Sequence, residues 1–147
     1  MHRIEKSIVV KRSPETVFAF MSVAANHARF IPNMVDFRQT SPGAFGQPGS
    51  TMRGTLRMMG WELQVPYALV EFEPISKMAM QGLMGPILFE DGYVFERVDG
   101  SSTRILFWLE LGPTGVARLA SPLMGFIGRT HANETRANLK RVLETTG

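Results

Sequence analysis

Val70–Leu111 decides the fold: VEFEPISKMAMQGLMGPILFEDGYVFERVDGSSTRILFWLEL. Apolar residues come in short strand-like runs, interrupted at Gly82–Pro86 and closed by Asp99-Gly100-Ser101-Ser102. Those four residues supply the turn chemistry of a β-hairpin. Its arms are Ile87–Arg97 and Thr103–Leu111, and a shorter strand precedes them around Met78–Gln81. After Gly112-Pro113 the pattern changes period, and Val116–Glu144 reads as helix. Many strands followed by one long helix give a curved sheet gripping that helix, a shape that encloses a cavity.

Toward the amino terminus the strand signals continue. Trp61, Leu63, Val65, Tyr67 and Leu69 alternate against Glu62 and Gln64, with Pro66 marking an edge position or a bulge. In Thr51–Met59 one face carries Met52, Gly54, Leu56 and Met58, and the other carries Thr51, Arg53, Thr55 and Arg57. Gly60 turns the chain between these two runs. Met34–Thr40 and Ile4–Lys11 complete seven strands, with a Gly/Pro-rich loop over Ser41–Gly49. Ser13-Pro14 is an N-cap followed by proline at the first helical position, so a short helix runs from Pro14 to about Val23. A second covers Ala24–Phe30 and must stop near Pro32.

The terminal helix has a broad apolar first half, including Val116, Leu119, Leu123, Met124 and Ile127. A narrower stripe of His131, Thr135, Leu139, Val142 and Leu143 follows. Pro122 should kink or split it. Gly125 and Gly128 allow either close packing on the sheet or room for a ligand.

Composition excludes several classes. At 147 residues, the whole of 1–147 reads as one domain. There are no cysteines, so disulfides and thiolate chemistry are ruled out. A net charge of +3 with dispersed arginines does not make a nucleic-acid surface. There is no leader-like amino terminus and no apolar run long enough to span a membrane, so a cytoplasmic location is expected. No phosphate loop or metal-ligand spacing is present, and no cofactor is expected.

The order of one strand, two short helices, six strands and a long helix is joined by two residue patterns. Ser13-Pro14-Glu15-Thr16-Val17-Phe18 opens the first helix, and Phe95-Glu96-Arg97-Val98-Asp99-Gly100-Ser101-Ser102-Thr103-Arg104-Ile105 forms the last hairpin. Together they resemble the Bet v 1-like/START-like (SRPBCC) superfamily, in its polyketide cyclase/dehydrase and lipid-transport branch. The resemblance implies an α+β helix-grip fold: a seven-stranded curved antiparallel sheet wrapped around a long C-terminal helix, with two short helices between strands 1 and 2. It also implies an apolar cavity. Members bind lipids, polyketides or sterols, and some catalyse cyclisation or dehydration. The superfamily shares no catalytic set, so none is transferred.

The inward residues expected to line a ligand site are Met52, Leu56 and Met58; Leu63, Val65 and Tyr67; Met78 and Met80; Phe89, Tyr93 and Phe95; Phe107; and Leu123, Met124, Ile127 and His131. The abundance of methionine, ten in all, favours an adaptable apolar pocket. His131 and Asp91 are the candidates for acid/base chemistry, although a polar residue such as Asp91 is expected on the outer face. The favoured reading is binding of a small hydrophobic molecule, by a monomer or homodimer. The first alternative is a cyclase/dehydratase-like enzyme using His131 or Asp91. The second is a membrane-surface or protein-partner module docking through Phe45 and scattered arginines.

Overall fold

The computed structural model describes residues 2–47, 49–85, 87–111 and 121–145, without the side chains of His2, Met58 and residues 121–127. Its seven strands are β1 (His2–Val10), β2 (Met34–Gln39), β3 (Thr51–Met58), β4 (Trp61–Glu73), β5 (Lys77–Met84), β6 (Ile87–Asp99) and β7 (Ser102–Leu111). They form one antiparallel sheet in the order β1-β7-β6-β5-β4-β3-β2. Helix α1 (Pro14–Met21) and a 3-10 helix (Ala24–Arg29) lie between β1 and β2, and α2 (Ser121–Thr145) ends the chain. This is the helix-grip architecture expected from the sequence.

Local chemistry accounts for the ends of the elements. The Ser13 hydroxyl caps α1 by accepting from the Thr16 N–H at 3.2 Å, and Pro14 fills the first helical position. Met59 and Gly60 both take positive φ, 52° and 84°, which matches the tight turn between β3 and β4 to the strand twist. The Asp99 carboxylate accepts from the Ser101 N–H at 2.9 Å and locks the β6–β7 turn.

Two sequence expectations change in detail. Residues Gly82–Met84, read as a break, belong to β5; the Phe89 ring covers Gly82 so closely that a Cβ there would stand 2.3 Å from it. Pro66 lies in a strand flanked on both sides, yet β4 pairs with β5 only from Tyr67 onward. At Pro66 the strand is therefore locally an edge, where a missing donor costs little. Pro122 lies in α2, and the residues before Ser121 against which the expected kink or split would be judged lie outside the described residues. Val116–Ala120, also read as helix, lie outside the described residues.

The carboxyl end of α2 is tied to its surroundings. Arg12 donates to the Glu144 carbonyl at 2.8 Å, the Lys11 N–H to the Glu144 carboxylate at 3.0 Å, and Lys140 to the Val9 carbonyl at 2.8 Å. Asn138 donates to the Phe30 carbonyl at 3.1 Å. These bonds gather at the last two turns.

Candidate functional site

The concave face of the sheet divides into a filled half and an open half, and alternation along each strand shows where. On β6, Phe95 and Tyr93 are buried in the core, whereas Asp91, Phe89 and Ile87 line a cavity of about 430 Å³. Paired β7 repeats this, with Ile105 and Phe107 in the core and Leu109 and Leu111 on the cavity wall. On β4 the change falls between Leu69 and Tyr67, and on β5 between Met78 and Met80 on one side and Met84 on the other. Helix α2 follows suit: Leu139, Val142 and Leu143 are core residues, while Gly128, Thr130, His131 and Glu134 face the cavity. Ile31, Pro32, Asn33 and Leu56 are the other wall residues among those described.

Aromatic residues from the short helices fill the closed half. Phe18 packs on Phe72 and Phe95, with ring centroids 5.0 and 5.8 Å apart. Tyr93 lies against Phe107, Phe30 and His27 at 5.3 to 6.3 Å. His27 is fully buried, and its Nε2 donates to the Met21 carbonyl at 2.8 Å, leaving Nδ1 without a partner. Burial lowers its pKa to about 4, only partly opposed by that bond, so the ring is neutral near pH 7.

At the boundary stands Asp91. The sequence favoured the outer face for it; the structure corrects this, because Asp91 shares the inward face with Phe89 and Tyr93 and is only 6% exposed. Its cross-strand neighbours are Met80 and Leu109, and its Oδ1 has no hydrogen-bond partner. Burial pushes its carboxyl up to about 7, with the charge of Glu90 adding to the rise and a bond from its own N–H opposing it. Tyr67 lies on the same wall, its ring held between Phe37 and Phe89 at 5.0 and 5.6 Å. Burial and the nearby Asp91 raise both the Tyr67 and Tyr93 phenols, and the Tyr93 hydroxyl is also unpartnered. Burial lowers His131, against the pull of Glu134. A buried carboxyl with one oxygen unpartnered beside an apolar cavity is the kind of group that binds a polar ligand atom or moves a proton.

Of the residues expected at a ligand site, Leu56, Tyr67, Phe89 and His131 meet at the cavity. Met52, Met78, Met80, Tyr93, Phe95 and Phe107 are buried on the same inward face but belong to the filled half, whereas Val65 is buried beyond Tyr67, opposite Gly54, without lining the cavity. Leu63 is partly buried against the core. The side chains of Met58, Leu123, Met124 and Ile127 lie outside the described residues. Ile31, Pro32, Asn33, Met84, Ile87, Leu109, Leu111, Gly128, Thr130 and Glu134 were not anticipated as wall residues. Extending the inward alternation of β6 and β7 to their ends would have found Ile87, Leu109 and Leu111. Gly128 serves both roles weighed for it: it lines the cavity, and a Cβ there would stand 2.7 Å from Ile4. Phe45, considered as a docking residue, is half-buried with its ring 6.0 Å from Phe72.

Among the described residues no helix is long and apolar enough to cross a membrane, and no group of three His, Asp or Glu side chains could hold a metal ion.

Residues 1–144 match the family model for polyketide cyclase / dehydrase and lipid transport. The chain belongs to that family. No curated protein sequence matches it. Among solved structures, it resembles the Zhui aromatase/cyclase from Streptomyces sp. R1128 at a TM-score of 0.78 and 10% identity, covering 97% of this chain and 93% of that one. Ara h 8.0201 superposes at 0.73 with 14% identity and 97% coverage of both chains. A START superfamily protein from Mycobacterium smegmatis gives 0.67 and 15%, covering 97% and 99%. At such identities these likenesses establish the shared Bet v 1-like fold.

Proposed function

We propose that this family member binds one small hydrophobic molecule in the cavity between the open half of the sheet and α2. The observation that carries the reading is the cavity itself: about 430 Å³, walled by Ile31, Leu56, Phe89, Leu109 and Leu111, with few polar groups. That volume falls within the range of small-molecule sites, and apolar burial at about 25 cal/mol per Å² supplies the affinity. Native mass spectrometry after exposure to a mixture of long-chain lipids and aromatic polyketides tests it. One molecule retained per chain is expected, and Leu56→Trp, which narrows the cavity, should abolish retention while leaving the circular dichroism spectrum unchanged. A wild-type protein that retains nothing sinks the reading.

A second reading has its own support, the buried Asp91 carboxyl, whose Oδ1 is unpartnered and whose pKa lies at about 7. Such a group could exchange a proton with a bound ketone, making the protein a cyclase- or dehydratase-like enzyme with His131 as the further acid/base candidate. Turnover of an aromatic polyketide that disappears in Asp91→Ala, with ligand retention kept, would favour catalysis over binding alone.

A further inference from the structure

Resting on the binding reading above, we infer that the cavity takes an uncharged molecule whose carbonyl or hydroxyl oxygen reaches Asp91, and that it rejects carboxylate lipids. The charged side chains that line the cavity among the described residues are Asp91 and Glu134, both acidic, and no lysine or arginine stands with them. A carboxylate entering this space would meet a like charge with no counter-ion. An uncharged oxygen would instead meet donors. The Tyr67 phenol is on the wall, and the unpartnered Oδ1 of Asp91 is the place for a proton that the ligand can share.

The surroundings of Asp91 determine the pH at which this works. On its own strand stand Tyr93 on the inward face and Glu90 on the outer, and β4 contributes Tyr67. The paired positions on β5 and β7 are Met80 and Leu109, which carry no charge. Helix α2 adds His131, whose burial favours the neutral ring, and Glu134. Burial, with the charge of Glu90 adding to it, favours the protonated carboxyl, whose pKa lies at about 7. A bound carbonyl then draws a proton onto Asp91, and raising the pH removes it.

Four probes of equal chain length separate the possibilities: 2-dodecanone, 1-dodecanol, dodecanoate and dodecylamine, titrated calorimetrically between pH 6 and 8.5. The ketone and the alcohol should bind, the ketone weakening roughly 30-fold across that range as the carboxyl ionises. Dodecanoate at pH 8 should bind at least about tenfold more weakly than the ketone. Proton uptake with the ketone should appear when buffers of different ionisation enthalpy are compared. Asp91→Asn should abolish the pH dependence and narrow the gap to dodecanoate. If that variant does not fold, the wild-type profiles still decide. Dodecanoate binding as tightly as the ketone, a pH-independent ketone affinity, or dodecylamine binding best with affinity rising with pH overturns this inference and leaves the binding reading standing. Retention of none of the four probes at any pH overturns both.

Discussion

The two halves of the concave face share strands, helix and inward alternation, yet one is filled and the other hollow. The difference lies in what is laid over them. Phe18, Phe20 and Met21 of α1, with His27 and Phe30, cover the half toward the β6–β7 turn. Over the other half, among the described residues, lie the Ile31–Asn33 segment and the amino-terminal part of α2. The ties to α2 from Val9, Lys11, Arg12 and Phe30 also gather over the filled half. Close packing and open space thus fall on different lengths of the same strands, with Asp91 at the boundary.

Truncation tests this division most strongly. Phe30→Ala, in the filled half, should cost about 3–5 kcal/mol in urea unfolding, because the closely packed rings around it cannot collapse. Leu111→Ala, on the cavity wall, should cost only about 2 kcal/mol, since it enlarges a space already present. Equal losses would erase the distinction.

Titration sharpens it next. Asp91 rises from an ordinary carboxyl value to about 7 on folding, so its contribution favours the fold at low pH and is lost as pH climbs from about 4 to 7. His27 falls to about 4, so its contribution is full above pH 6.5 and is lost as pH drops toward 4. Each is worth at most about 4 kcal/mol, and the two oppose one another over the same interval; His131 adds to the His27 side. Unfolding free energies of Asp91→Asn measured from pH 4 to 7 should therefore rise more steeply with pH than those of the wild type. Parallel profiles would mean that Asp91 is not buried as described.

The smallest effect concerns two glycines. At Gly92 an added Cβ would stand 2.1 Å from the Trp108 ring, which is fixed on the convex face with Arg3 and Lys77 on it at 4.8 and 5.6 Å. At Gly82 the obstacle is the end of the Phe89 ring, which has the cavity to move into. Gly92→Ala should cost about 1–3 kcal/mol and Gly82→Ala under about 1 kcal/mol, while only the latter should shrink the ligand capacity. Thermal unfolding and probe titration of both variants check this.

Much of the architecture was legible because it rests on local signals: Ser13-Pro14, Gly60, the Asp99–Ser102 turn and the alternation on either side of them. The cavity was less so. Asp91 has the inward parity of Phe89 and Tyr93, but the solvation cost of a carboxyl argues for the outside, and only the packing of Trp108 over Gly92 shows which face is which. The methionines read as pocket-lining fill the core at Met52, Met78 and Met80, because inward direction is local whereas distance from the plug of aromatic rings is not. Ile31–Asn33 lie in a connection whose path depends on the whole fold.

The tight turn at Met59-Gly60 leaves Trp61 80% exposed, whereas Trp108 is buried under cationic side chains. The chain thereby carries two indoles with opposite optical environments. Acrylamide will quench the red-shifted emission of Trp61 while sparing that of Trp108, giving separate spectroscopic reporters for the hairpin tip and for the convex surface of the sheet.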